Sequence, residues 1–113
     1  MRTALVTAIA LVLIAMPVAG TASAAVKPVV VNITAVYGRP VGGIKRPTVK
    51  KGQTVRIVVR TNVGSQVHLH GYNIEKNVKK GVPTVIQFVA KVQGRFALEL
   101  HPMDALLAQL TVN

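Results

Sequence analysis

The chain has 113 residues and a formal net charge of +11, from 14 Lys and Arg against three Asp and Glu, and it contains no cysteine. That excludes a disulfide framework, a thiolate metal site and a lipid-anchored cysteine, and leaves room for one small domain with a single core. Its four aromatics (Tyr37, Tyr72, Phe88, Phe96) are not interleaved with the charges, which argues against nucleic acid and leaves an anionic membrane or wall surface, or ordinary solubilising charge, as the reading of the basicity.

Met1 and Arg2 give a positive start, and Ala4 to Ala15 (ALVTAIALVLIA) is apolar except for Thr7. Pro17 and Gly20 interrupt the run before the small-x-small pattern Ala22-Ser23-Ala24. The run is shorter than the roughly 18–20 apolar residues that span a bilayer comfortably. The pattern therefore reads as a secretory signal peptide over residues 1–24, cleaved in preference to being kept as an anchor. One domain over 25–113 is expected to work outside the cytoplasm, in the periplasm or secreted, starting at Ala25.

After the signal, helical periodicity gives way to short β-branched runs separated by turn residues. Residues 29–36 (VVVNITAV) read as a first strand. Residues 38–52 hold Gly38, Pro40, Gly42, Gly43, Pro47 and Gly52, so they read as loops with room for one short edge strand. Residues 53–60 alternate, with Val55, Ile57 and Val59 on one face and Arg56 and Arg60 on the other. Further strands are expected over 66–72, 84–90, 95–100 and 106–112, with turns at 62–65 and 81–83. The chain is thus expected to be all-β, a Greek-key β-sandwich or barrel of six to eight strands.

All three histidines, His68, His70 and His101, fall near strand ends of this domain. His68 and His70 are two apart on a strand, so both point to one face and can chelate one ion. His101 follows the strand 96–100 and precedes Pro102 and Met103; Glu99 lies two residues before it, on the same face. Imidazole suits copper and zinc, and a thioether favours the cuprous ion. Metal ligands are therefore expected from His68, His70 and His101, with Met103 or Glu99 assisting. The alternative is a pair of half-exposed histidines hydrogen-bonded to backbone. No serine or cysteine nucleophile stands beside a base, and Ser65 lacks a Gly-x-Ser-x-Gly elbow, so an enzyme is not expected.

From about Val29 to Val112 the chain resembles the cupredoxin family, the plastocyanin-like copper sandwiches. Residues 51–59 (KGQTVRIVV) are similar to the family's strand entered by Lys-Gly, and 66–72 (QVHLHGY) sit where the family places its first copper histidine. Gly94-Arg95-Phe96, followed by a strand and His101, is similar to the approach to the family's ligand loop, and 110–112 to its last strand. His68-Leu69-His70-Gly71 also resembles the His-x-His-Gly of multicopper oxidases. The resemblance implies a cupredoxin-like sandwich and the end of it where a site would lie. The family's ligand loop runs Cys, His, Met; here Leu100 stands at the cysteine position and the loop is about two residues shorter. His68 matches the family's histidine, whereas His101 and Met103 match the loop's chemistry and not its spacing. The expectation is an exported copper-binding protein that handles copper without being a blue-copper electron carrier. Its alternative is a basic, non-metal module that binds an anionic surface or a partner protein.

Overall fold

The computed structural model describes residue 4, residues 7–18, residue 20 and residues 27–113. The expected cleavage site at 22–24 lies outside the described residues. Residues 7–18 have no regular secondary structure, and their apolar side chains take no part in the core: Leu13 is 84% exposed and Val18 94%.

Nine strands follow: β1 (Val29–Val36), β2 (Arg39–Pro40), β3 (Thr48–Val49), β4 (Thr54–Thr61), β5 (Gln66–Leu69), β6 (Ile74–Asn77), β7 (Thr84–Val89), β8 (Gly94–His101) and β9 (Ala105–Val112). They form two sheets, ordered β2-β1-β4-β7 and β3-β9-β8-β5-β6, and no helix occurs among the described residues. The molecule is a β-sandwich, one of the two all-β forms that the alternating sequence allows.

The alternation sets the layers directly. In β1, Val31, Ile33 and Ala35 are buried; in β4, Val55, Ile57 and Val59 are; in β8, Leu98 and Leu100 are. These side chains meet Val67, Leu69, Ile86, Leu107, Leu110 and Val112 in one core between the sheets. Each sheet contains one parallel pair, β1 with β4 and β3 with β9. A parallel neighbour cannot be reached by a tight hairpin. The segment between β1 and β4 makes the crossing, and on the way lends β2 to the first sheet and β3 to the second.

Three differences from the sequence expectation have local causes. The strand count is nine, above the expected six to eight, because β2 and β3 are two-residue pieces and β6 (IEKN) is a largely exposed edge strand with no apolar alternation to announce it. The strand expected over 66–72 stops at Leu69, because Gly71 (φ +81°) turns the chain. A side chain at Gly71 would strike the Phe96 ring. The strand ending at residue 100 continues through His101, which pairs with Gln66. Near Gly71, Tyr72 closes one end of the sandwich: its ring packs on Phe88 and Phe96, and its hydroxyl donates to the Val92 carbonyl at 2.8 Å while accepting from the Val92 N–H at 3.1 Å.

Candidate metal centre

The inward residues of β5 and β8 leave their outward neighbours on the solvent face of the five-stranded sheet. Antiparallel pairing puts His68 directly opposite Glu99 and Gln66 opposite His101. The ladder extends one residue beyond β5, through the His70 N–H to the Ala97 carbonyl at 2.9 Å. On the other side of β5, His68 faces Glu75 of β6. Directly opposite side chains in a sheet lie about 4.5–5.5 Å apart at Cβ, and diagonal ones remain within reach of long or aromatic side chains. Three histidines and two carboxylates are thereby brought to one patch.

The side chains converge. The His68 and His70 rings have centroids 4.2 Å apart, and His68 and His101 rings 5.8 Å. One nitrogen from each of the three imidazoles lies within 4.8 Å of the others. The Glu99 carboxylate sits among them: one oxygen, Oε2, is 3.0 Å from His70 Nε2 and 3.8 Å from His101 Nε2. On its other nitrogen, Nδ1, His101 meets Asp104 Oδ1 at 2.7 Å. At the rim, Glu75 approaches His68 Nε2 at 3.9 Å and accepts a hydrogen bond from Gln66 at 3.3 Å.

Two backbone features hold the patch in place. A β-bulge interrupts the β8–β9 ladder between Leu98 and Glu99: Leu98 pairs with Ala108 and Glu99 with Leu106, so Leu107 is the extra residue. Such an insertion re-aims the strand beside a site. The Leu107 carbonyl it displaces accepts from the Lys45 N–H at 3.2 Å. The end of β8 is clamped by Ser65, whose N–H donates to the His101 carbonyl at 2.9 Å. The clamp needs Gly64 (φ +103°), where a Cβ would come within 2.6 Å of Leu100.

The donor set fits a metal ion. Bonds of about 2.0–2.1 Å put neighbouring ligand atoms about 3 Å apart, so side-chain movements of about 1 Å would bring the three imidazoles to one ion. Asp104 on Nδ1 leaves Nε2 of His101 as the free ligand atom, the carboxylate–histidine arrangement that orients metal ligands. Glu99 and Asp104 also lie with His101 in a second, overlapping cluster of potential ligand atoms.

The structure brings together four of the five residues singled out in the sequence, His68, His70, His101 and Glu99. Met103 goes elsewhere. Its sulfur packs over the β1–β2 turn, 2.9 Å from where a Gly38 side chain would begin, and the residue is 43% exposed. Leu100 is wholly buried on the opposite face of the sheet from Glu99 and His101, with Gly64 against it. Asp104 and Glu75 were not singled out. A signal for them existed: the chain has three acidic residues and three histidines in all. Each acid lies within 4.0 Å of a histidine, and among the described residues no lysine or arginine makes such a contact with a carboxylate.

No protein-family model and no curated protein matches the sequence. The fold, in contrast, matches 117 chains of solved structures. A copper binding protein in its apo form is similar with a TM-score of 0.59 and 17% identity, over 74% of this chain and 86% of that one. The metal binding domain of the Cu(I)-exporting P-type ATPase of Streptococcus pneumoniae, determined with Cu(I), gives 0.60 and 18%, over 74% and 84%. A chain of a heme-copper terminal oxidase dimer gives 0.57 and 16%, over 75% and 65%. At these identities the likeness is one of fold.

Proposed function

We propose that this chain is an exported, cupredoxin-like copper-binding protein that stores, buffers or delivers the ion and does not carry electrons as a blue-copper protein does. The observation that carries the reading is the gathering of every histidine and every carboxylate of a strongly basic chain into one patch. Elsewhere the charge is positive and repels cations; here three carboxylates make the surface attractive to one. Imidazole nitrogens are good copper donors. Recurrence of the fold among proteins described as copper-binding supports the same reading.

The chain supplies no thiolate, and the short copper–sulfur bond of a blue site needs one. Export is supported by the signal-like pattern of residues 1–24 and by an apolar segment that stays out of the core. Titration calorimetry with copper tests the site: one ion is expected to bind, and His68→Ala with His70→Ala is expected to abolish that binding. Unchanged binding by this double variant would rule out the site. Intact mass of the exported protein tests the leader, with a start at or near Ala25 expected.

A second reading rests on a separate observation. None of the described Lys or Arg side chains pairs with a carboxylate. Such a surface can dock on an anionic membrane or wall polymer, and attraction screened over about 8 Å at physiological salt would collapse as salt is added. Vesicle or wall binding that persists at high salt counts against this mode.

A further inference from the structure

We propose that the site takes copper in the cupric state and discriminates against the cuprous ion. This rests on the copper-binding reading above and adds the oxidation state of the cargo.

Three features of the patch carry it. The first is donor chemistry. Its donors are three imidazole nitrogens and a carboxylate, with Glu99 Oε2 already 3.0 Å from His70 Nε2. Soft sulfur donors select Cu(I), whereas nitrogen and oxygen donors suit Cu(II) in tetragonal geometry. The one thioether in reach by sequence, Met103, lies over Gly38. The second is charge. Neutral imidazoles leave an ion's charge uncompensated, so the Glu99 carboxylate, with Asp104 and Glu75 around it, favours a dication over a monocation.

The third feature is shape. His68 and Glu99 face each other across neighbouring strands, with His70 and His101 at the diagonals. Donors rising from one sheet face spread beneath an ion and leave its solvent side open. That matches a tetragonal cupric ion, which tolerates a weak axial water. It offers a cuprous ion none of the thiolate donors that select it.

Competition titrations on the purified protein decide the matter, with a chromophoric chelator for Cu(II) in air and a cuprous-specific chelator for Cu(I) under anaerobic reductant. Cu(I) is expected to bind at least about 100-fold more weakly than Cu(II). Glu99→Gln is expected to weaken Cu(II) about 10- to 100-fold and to leave Cu(I) within about twofold. Met103→Leu is expected to change neither. Electron paramagnetic resonance of the Cu(II) form is expected to show tetragonal parameters with nitrogen couplings. Cu(I) binding as tight as Cu(II), or a loss of Cu(I) binding in Met103→Leu, overturns the cupric assignment while copper binding stands. Failure of both ions to bind overturns the copper reading itself.

Discussion

Leu100 and His101 are neighbours in β8, yet Leu100 is fully buried and the His101 side chain is 27% exposed. The same contrast runs along the sheet. Its inner face, with Val67, Leu69, Leu98, Leu100 and Leu110, is apolar and belongs to the core. Its outer face carries His68, His70, Glu99 and His101. The two faces share one backbone and one register, and differ only in the parity of the residue number. Stability and the proposed metal binding should therefore be separable in this protein. A substitution on one face should leave the property of the other nearly intact, provided that the backbone holds.

The sharpest test of that separation is on the inner face. Leu100→Ala removes a fully buried side chain and should cost about 2–5 kcal/mol in chemical denaturation. Protein that remains folded should keep its copper affinity. Leu100→Cys should also stay colourless near 600 nm with copper, because its sulfur would lie on the far side of the sheet from the imidazoles. An intense blue colour would show that the two faces communicate after all.

On the proposed reading, copper should act from the outer face in the opposite direction. Free ion at 100 times its dissociation constant should stabilise the fold by about 2.7 kcal/mol, visible as a rise in melting temperature. Only neutral imidazole ligates, so protons compete with the ion and the stabilisation should fade on acidification. His101→Ala should remove it at every pH while costing the metal-free protein little.

Gly64→Ala probes a place where the faces are joined. Its positive φ and its approach to Leu100 predict a loss of about 1–3 kcal/mol. The same change loosens the Ser65 clamp on the His101 carbonyl, so a weakened copper affinity should accompany it. A smaller effect is expected from Asp104→Asn, which keeps the shape but alters the partner of His101 Nδ1. Copper affinity should fall about 10- to 100-fold with stability unchanged. The smallest belongs to Arg56→Gln, outward-facing on the other sheet: within about 0.5 kcal/mol in stability, with no change in metal binding.

Alternation and turn residues were enough to read an all-β sandwich or barrel from the sequence, and the long strands fall where they were expected, within one or two residues at most ends. Strand β6 escaped because an exposed edge strand buries almost nothing and so leaves no apolar pattern. That His68 and His70 share a face was legible too, since a period of two needs no knowledge of neighbours. The same holds for Glu99 and His101. Whether those two pairs meet depends on β5 lying against β8 with Gln66 opposite His101, a pairing between residues 35 apart in the chain. The entry of Glu75 depends on a strand that was not legible, and that of Asp104 on how the β8–β9 turn folds back on His101. Parity along a strand is a local property of backbone geometry, and the sequence carries it alone. Register between strands comes from the best joint burial of many distant side chains, and only the folded sandwich decides it.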